Sequence, residues 1–221
     1  MKKYLLIFTL AAFNTIITAQ TTYTYTDIYG GITLPKYTYS NTGVNSSRDV
    51  YQGLAIGISQ SIYVAQKSVS LHGGMSYMQK GAINNTGGTN FIKAENRLNY
   101  IQGEIMLGFV AGKKNYYKNC PVDLFAGFYV GRIINGKQKL TAINSSISTV
   151  KFNIGKSVAD DFKAGDFGAK FGIFIPFAKR FFISGAYEYG FTDIAPQSNI
   201  KINNRNISIT AGFHLRPNRN G

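Results

Sequence analysis

In FFISGAYEYGFTD, residues 181–193, the side chains alternate with a period of two. Phe181, Ile183, Tyr187, Tyr189 and Phe191, with Gly185 in phase, stand against Phe182, Ser184, Ala186, Glu188, Gly190 and Thr192. Neighbouring side chains of an extended strand point to opposite faces, so the stretch is a strand with one greasy, aromatic face and one small, polar face. NISITAGFHLR, residues 206–216, repeats the pattern: Ile207, Ile209, Ala211, Phe213 and Leu215 oppose Ser208, Thr210, Gly212, His214 and Arg216. Such segments read as strands of a closed barrel, membrane-spanning or soluble according to which face is turned inward.

Six further segments follow the rule, at residues 25–37, 50–63, 68–80, 97–110, 121–133 and 165–177. Ile28, Ile32 and Leu34 oppose Tyr29, Gly31 and Thr33; Leu54, Ile56, Ile58 and Ile62 oppose Tyr51, Gly53, Ala55, Gly57, Ser59 and Ser61. Val69, Leu71, Met75 and Tyr77 oppose Ser70, His72, Gly74, Ser76 and Lys80; Ile101, Ile105, Leu107 and Phe109 oppose Tyr100, Gln102, Glu104 and Gly108. The fifth and sixth place Asp123, Tyr129, Asp166 and Lys170 on the polar face, with Phe125 and Phe174 as apolar exceptions there.

The connections alternate as well. Long polar stretches at 38–49, 81–96, 134–164 and 194–205 are separated by short links at 64–67, 111–120 and 178–180. An even strand count with long loops at one end and short turns at the other is the pattern of an outer-membrane barrel, with long loops outside and both termini periplasmic. A soluble barrel with its greasy face inside would show a polar face rich in Lys and Glu. Here that face is mostly Gly, Ser, Thr, Ala and Tyr, which suits a narrow lumen filled by side chains. The expected architecture is an all-β, eight-stranded antiparallel up-and-down transmembrane β-barrel.

MKKYLLIFTLAAFNTIITA, residues 1–19, has two lysines, a short apolar stretch and a small residue before Gln20. It reads as a secretory signal peptide cleaved after Ala19, leaving one barrel domain over residues 20–221. No apolar run reaches the roughly 20 residues of a spanning helix. Removing Lys2 and Lys3 from a formal +14 leaves +12. Such a basic excess could suit nucleic acid, but export argues against that partner. The lysines lie mostly in loops and turns, suited to anionic headgroups of outer-membrane lipid and lipopolysaccharide or simply to solvation. Cys120, the only cysteine, can form no intramolecular disulfide.

LHGGMSYMQKGA, residues 71–82, resembles the strand ending in a Tyr-x-Gln-Lys-Gly signature in the PorT-like outer-membrane β-barrel family of Bacteroidetes. RLNYIQGEIMLGF, residues 97–109, is similar to the strand that follows it there, Leu-x-Tyr-Leu-Glu-Ile-Pro, with Gln102, Gly103 and Glu104 in place of the last three residues. The resemblance implies an eight-stranded outer-membrane barrel and assigns no activity.

Catalysis finds little support. His72 and His214 are the only histidines, and both fall on the lumen face near the periplasmic end, away from the outer leaflet where a lipid A-modifying site would open. Two histidines without a Cys or carboxylate at ligand spacing give no metal signature. No Gly-rich stretch opens a phosphate-holding helix, and no cofactor is expected. The inward charges are more informative. Lys170 and Glu188 fall at mid-strand on neighbouring strands, Glu104 can reach in from farther round the wall, and Asp123 and Arg216 belong to the periplasmic end. Unpaired buried charges cost several kcal/mol, so this set is expected to pair as a plug. The expected function is a structural or interaction barrel, not an enzyme, acting through its extracellular loops, with residues 134–164 as the surface for an envelope or extracellular partner. A lipid A-modifying enzyme and a narrow channel are the alternatives.

Overall fold

The computed structural model describes residues 22–40, 49–64, 68–84, 91–111, 122–155, 157, 159–177, 180–196 and 201–220. The signal-peptide segment 1–19 and Cys120 lie outside them. The strands are β1 (Thr22–Ser40), β2 (Gly53–Val64), β3 (Val69–Asn84), β4 (Phe91–Ala111), β5 (Val122–Ala142), β6 (Ile147–Lys151), β7 (Ile154–Gly155), β8 (Phe162–Lys163), β9 (Gly165–Phe177), β10 (Phe181–Gly190) and β11 (Lys201–Asn220). Eight of them form a ring in the order β4, β3, β2, β1, β11, β10, β9, β5, closed by pairing of β4 with β5. Every pair in the ring is antiparallel, and each strand lies beside its sequence neighbours. Closure leaves no barrel strand with an open edge, as a transmembrane sheet requires.

The alternation decides which way each residue points. Ile28, Ile56, Ile58, Met75, Ile105, Leu107, Phe128, Val130, Phe171 and Ile209 are exposed on the outer wall. Tyr25, Ala55, Met78, Tyr100, Phe125, Tyr129 and Phe182 are buried inside. Along β4 the exposed set runs from Ile101 to Phe109, about the 9 to 11 residues that a tilted transmembrane strand needs.

The structure corrects the strand lengths. β3 runs to Asn84 and β4 starts at Phe91, so much of the stretch 81–96 is strand. β5 continues through Ala142 and turns into β6, and β11 begins at Lys201. These extensions are polar because they lie beyond the apolar belt, yet the hydrogen-bonded ladder continues through them. Polarity marks where the apolar surroundings end, not where pairing stops.

The segment 134–164 thus has two parts. Its first half is the β5–β6 hairpin, closed by a turn in which Ser145 takes a positive φ of 63° and Ser146 N–H bonds to Asn144 Oδ1 at 3.1 Å. Its second half returns over the barrel mouth, with β7 and β8 pairing in parallel and Asp161 N–H bonding to Asn153 O at 2.8 Å.

Inside, aromatic rings lie over glycines on adjacent strands. Phe125 covers Gly172, Phe182 covers Gly212, Tyr129 covers Gly168 and Tyr29 covers Gly57; a Cβ at any of these glycines would collide with the ring. Phe125, an exception to the alternation, therefore has a reason to point inward, and Phe174, the other exception, stacks on Phe182 with ring centroids 4.5 Å apart. With Met106, Phe182 and Ala186 they form an apolar layer across the lumen.

Candidate functional site

The lumen is stacked in four layers. At the long-loop end, Tyr37, Ala82, Leu98, Tyr100, Ile133, Phe162 and Ile194 form a buried apolar cluster. Phe162 and Ile194 come from outside the ring, and Lys163 N–H bonds to Ile194 O at 2.9 Å. Two connecting segments therefore fold inward over the mouth and close it.

Below lies the charge layer. Lys80 Nζ sits 2.9 Å from Glu188 Oε2 and 3.4 Å from Asp166 Oδ2, with all three side chains wholly buried. It also lies over the Tyr129 ring at 4.2 Å and the Tyr100 ring at 5.0 Å, positions favourable to a cation. Lys170 Nζ contacts Glu104 Oε2 at 2.5 Å and Glu188 Oε1 at 3.5 Å. Neutral donors complete the set. Gln102 Nε2 donates to Glu188 Oε1 at 2.7 Å and Asn206 Nδ2 to Glu188 Oε2 at 3.1 Å. Asn204 Nδ2 donates to Asp166 Oδ2 at 2.9 Å, and Tyr129 O–H to the same oxygen at 3.2 Å. Three carboxylates outnumber two lysines here, and the amide and phenol donors offset the excess by hydrogen bonding.

Beneath the charges come the apolar layer and, at the short-turn end, a second polar network. His72 Nε2 lies 2.8 Å from Asp123 Oδ2, and Ser70 O–H donates to the same oxygen at 2.6 Å. Ser61 Oγ is 2.9 Å from His72 Nδ1, and its hydroxyl donates to Asp27 Oδ2 at 2.9 Å. His214 Nδ1 lies 2.6 Å from Asp27 Oδ1. The network thus links β1, β2, β3, β5 and β11 at one end of the barrel.

Ser, His and Asp together invite comparison with a hydrolytic triad. There the nucleophile and the acid occupy opposite ring nitrogens, with the nucleophile open to substrate. Ser70 and Asp123 instead share Nε2. Ser61 does occupy the opposite nitrogen, but its hydroxyl is donated to Asp27 and the residue is 1% exposed. The arrangement holds strands together and presents no accessible nucleophile.

Glu104, Lys170 and Glu188 meet in one layer, whereas Asp123 lies at the other end with His72. The side chain of Arg216 is outside the described residues. Lys80, Asp166 and Asp27 complete the networks and were not among the residues expected in the charge set. The alternation had placed Lys80 and Asp166 inward, but at the ends of segments that the structure shows to be longer. Among the described residues no group of three or more His, Cys, Asp or Glu is arranged to hold a metal.

A closed eight-stranded antiparallel ring, apolar outside and filled with polar and aromatic side chains inside, defines a transmembrane β-barrel. The chain matches the family described as outer membrane protein beta-barrel domain over residues 19–195, and it belongs to that family. No curated protein matches it. Among solved structures it is similar to the attachment invasion locus protein Ail of Yersinia pestis, crystallised with the heparin analogue sucrose octasulfate: 12% identity, 88% of this chain and 99% of that one, TM-score 0.46. Neisserial surface protein A is similar at 12% identity, 88% and 97% coverage and TM-score 0.44. OprG from Pseudomonas aeruginosa is similar at 10% identity, 89% and 97% coverage and TM-score 0.40.

Proposed function

We propose that this protein is a non-conducting outer-membrane barrel whose lumen is a structural plug and whose work is done at its long-loop rim. The observation that carries the reading is the filling of the interior. The cavity lined by Tyr29, Ser61, His72, Glu104 and Lys170 measures about 50 Å³, room for a few water molecules. Apolar layers lie on either side of the charge layer. An ion passing through would have to break the Lys80–Glu188 and Lys170–Glu104 contacts and then displace Phe162 and Ile194. A plugged barrel is a stiff platform, and what it presents is the β5–β6 hairpin, to an envelope or extracellular partner.

Under this reading the signal peptide is removed after Ala19, residues 20–221 form a single domain, and the long-loop end faces outward. The protein stands with the PorT-like branch because both of its signature strands supply the plug. Tyr77, Gln79, Lys80 and Gly81 spell the first signature, and Lys80 is the cation at the centre of the charge layer. Leu98 and Tyr100 of the second lie in the mouth cluster.

Purified protein in planar bilayers is the test. The expected result is no steady single-channel steps from either side. Reproducible ion-selective conductance altered in Glu104→Gln would overturn the plug in favour of a channel.

A further inference from the structure

The outer wall carries a second charged feature, separate from the lumen. Arg132 faces outward next to Ile101 in the β4–β5 ladder. Val130, two residues earlier, is 63% exposed in the apolar belt. Farther along the same face, Lys137 is directly opposite Arg97 on β4 and directly opposite Lys151 on β6. Adjacent strands are about 4.8 Å apart, so three cationic side chains stand in a row across roughly 10 Å. Like charges placed directly opposite destabilise a sheet, and here two such pairs share Lys137.

Among the described residues, few counter-charges lie near them. Lys139 is opposite Glu95, and Asp49 bridges to Ile83 one strand beyond Glu95. Yet among the described residues no carboxylate lies within 4.0 Å of Arg97, Arg132, Lys137, Lys139 or Lys151. Arg97 Nε is buried without a hydrogen-bond partner there. The exposed cations are open to water and to an anion from outside, and the position of the row says which anion is at hand. Arg132 stands level with Ile101, the end of the exposed apolar set on β4, and Arg97, with Lys137 opposite, stands four residues farther along β4, about 13 Å at the usual rise, so the cations span the zone just beyond the apolar belt.

We infer that Arg97, Arg132, Lys137 and Lys151 form a binding site for the phosphate groups of a glycolipid headgroup in the leaflet surrounding the long-loop end. A guanidinium offers a planar fork to phosphate oxygens and an ammonium a mobile point charge, so the mixed row suits a headgroup bearing more than one phosphate. Lipid bound here pins the β5–β6 hairpin against the membrane surface and fixes how the proposed partner surface is presented. The site rests on the outward orientation of the long loops proposed above.

The experiment titrates the full chain, purified in detergent, with diphosphoryl lipid A, with its dephosphorylated form and with inorganic phosphate, following bound lipid by native mass spectrometry. The diphosphoryl form is expected to bind, the dephosphorylated form about tenfold or more weaker, and Lys137→Glu with Lys151→Glu to lose at least tenfold, each basic residue near a headgroup being worth several-fold. Lys163→Gln, which removes a lysine paired with Asp193 at 3.2 Å, should bind as the parent does. Lys137→Gln with Lys151→Gln gives the same answer without introducing carboxylates. Equal affinity for the dephosphorylated lipid, or undiminished binding by both double variants, overturns the site. Displacement by millimolar inorganic phosphate makes it a free-anion site and overturns the lipid assignment. Antibody access to a tag at Ser146 on intact cells tests orientation separately, and planar-bilayer conductance tests the plug, so neither failure is confused with failure of this site.

Discussion

Lys80 and Lys137 carry the same side chain into opposite circumstances. Lys80 is wholly buried, contacts Glu188 and Asp166, and lies over two tyrosine rings. Lys137 is exposed on the outer wall between Arg97 and Lys151. Burial in a low-dielectric interior makes an unpaired charge prohibitive, so the lumen has to supply counter-charges from its own strands. A charge at the rim is hydrated and screened, so it can await a partner from outside. Internal pairing in this molecule therefore marks structure, and the exposed row is where the proposed lipid would supply the counter-charge.

The comparison breaks most visibly at the lumen. Lys80→Met leaves Glu188 and Asp166 facing each other without their shared cation, which typically costs about 3 to 5 kcal/mol. Denaturant titration of the barrel in vesicles should register that loss. Lys170→Met should be nearly as costly, whereas Lys170→Met with Glu188→Gln should be less destabilised than the sum of the single changes, a coupling that a double-mutant cycle measures. Additive effects would show that the charge layer does not act as a unit.

A foreign charge on the lipid face comes next. Ile209 is 49% exposed on the outer wall at mid-strand, and Ile209→Arg should cost about 2 to 4 kcal/mol near the bilayer midplane. Its neighbour Thr210 faces inward, so Thr210→Arg should act by crowding the lumen. Unimpaired assembly of Ile209→Arg, scored as heat-modifiable migration on gels, would mean that the faces are reversed. The histidine and aspartate network at the short-turn end should respond less to loss of one hydroxyl: Ser61→Ala removes the group between Asp27 and His72, at about 1 to 3 kcal/mol for the groups left unsatisfied. No change in the unfolding midpoint would remove the network from the account of stability.

These sites were not equally legible in the sequence. Period-two alternation is a local signal, so the eight strands and their faces could be read directly, and the short link at 178–180 fixes a register that sets Glu188 opposite Lys170. The partners of Lys80 were hidden because Glu188 and Asp166 approach it across the lumen, 108 and 86 positions away in sequence. Such meetings depend on how far the ring is sheared when it closes, which no single strand records. Asp27 was missed for the same reason, since its contact with His214 joins the first strand to the last. The strand extensions were missed because their polar side chains resemble loop while their backbones remain paired. That error concealed the outward cationic row, for Lys137 and Lys151 oppose each other only if residues 134–151 form a hairpin.

The smallest expected effect lies at that row, and it sharpens the comparison most. Lys137 and Lys151 are directly opposite, both exposed and without a carboxylate partner among the described residues. Replacing them with glutamine removes a cross-strand repulsion while retaining long polar side chains, so Lys137→Gln with Lys151→Gln should stay within about 0.5 kcal/mol of the parent in neutral detergent, or be slightly more stable. In vesicles containing diphosphoryl lipid A the order should reverse. A ligand that binds only the folded state adds stability in proportion to its affinity, and the parent should gain more from the lipid than the variant does. Raising the salt should shrink that difference, because screening shortens the reach of the row towards the phosphates. Equal midpoints for parent and variant in those vesicles at low salt would make the row an ordinary solvated surface. A variant destabilised equally in detergent and in lipid would mean that these lysines support the hairpin itself.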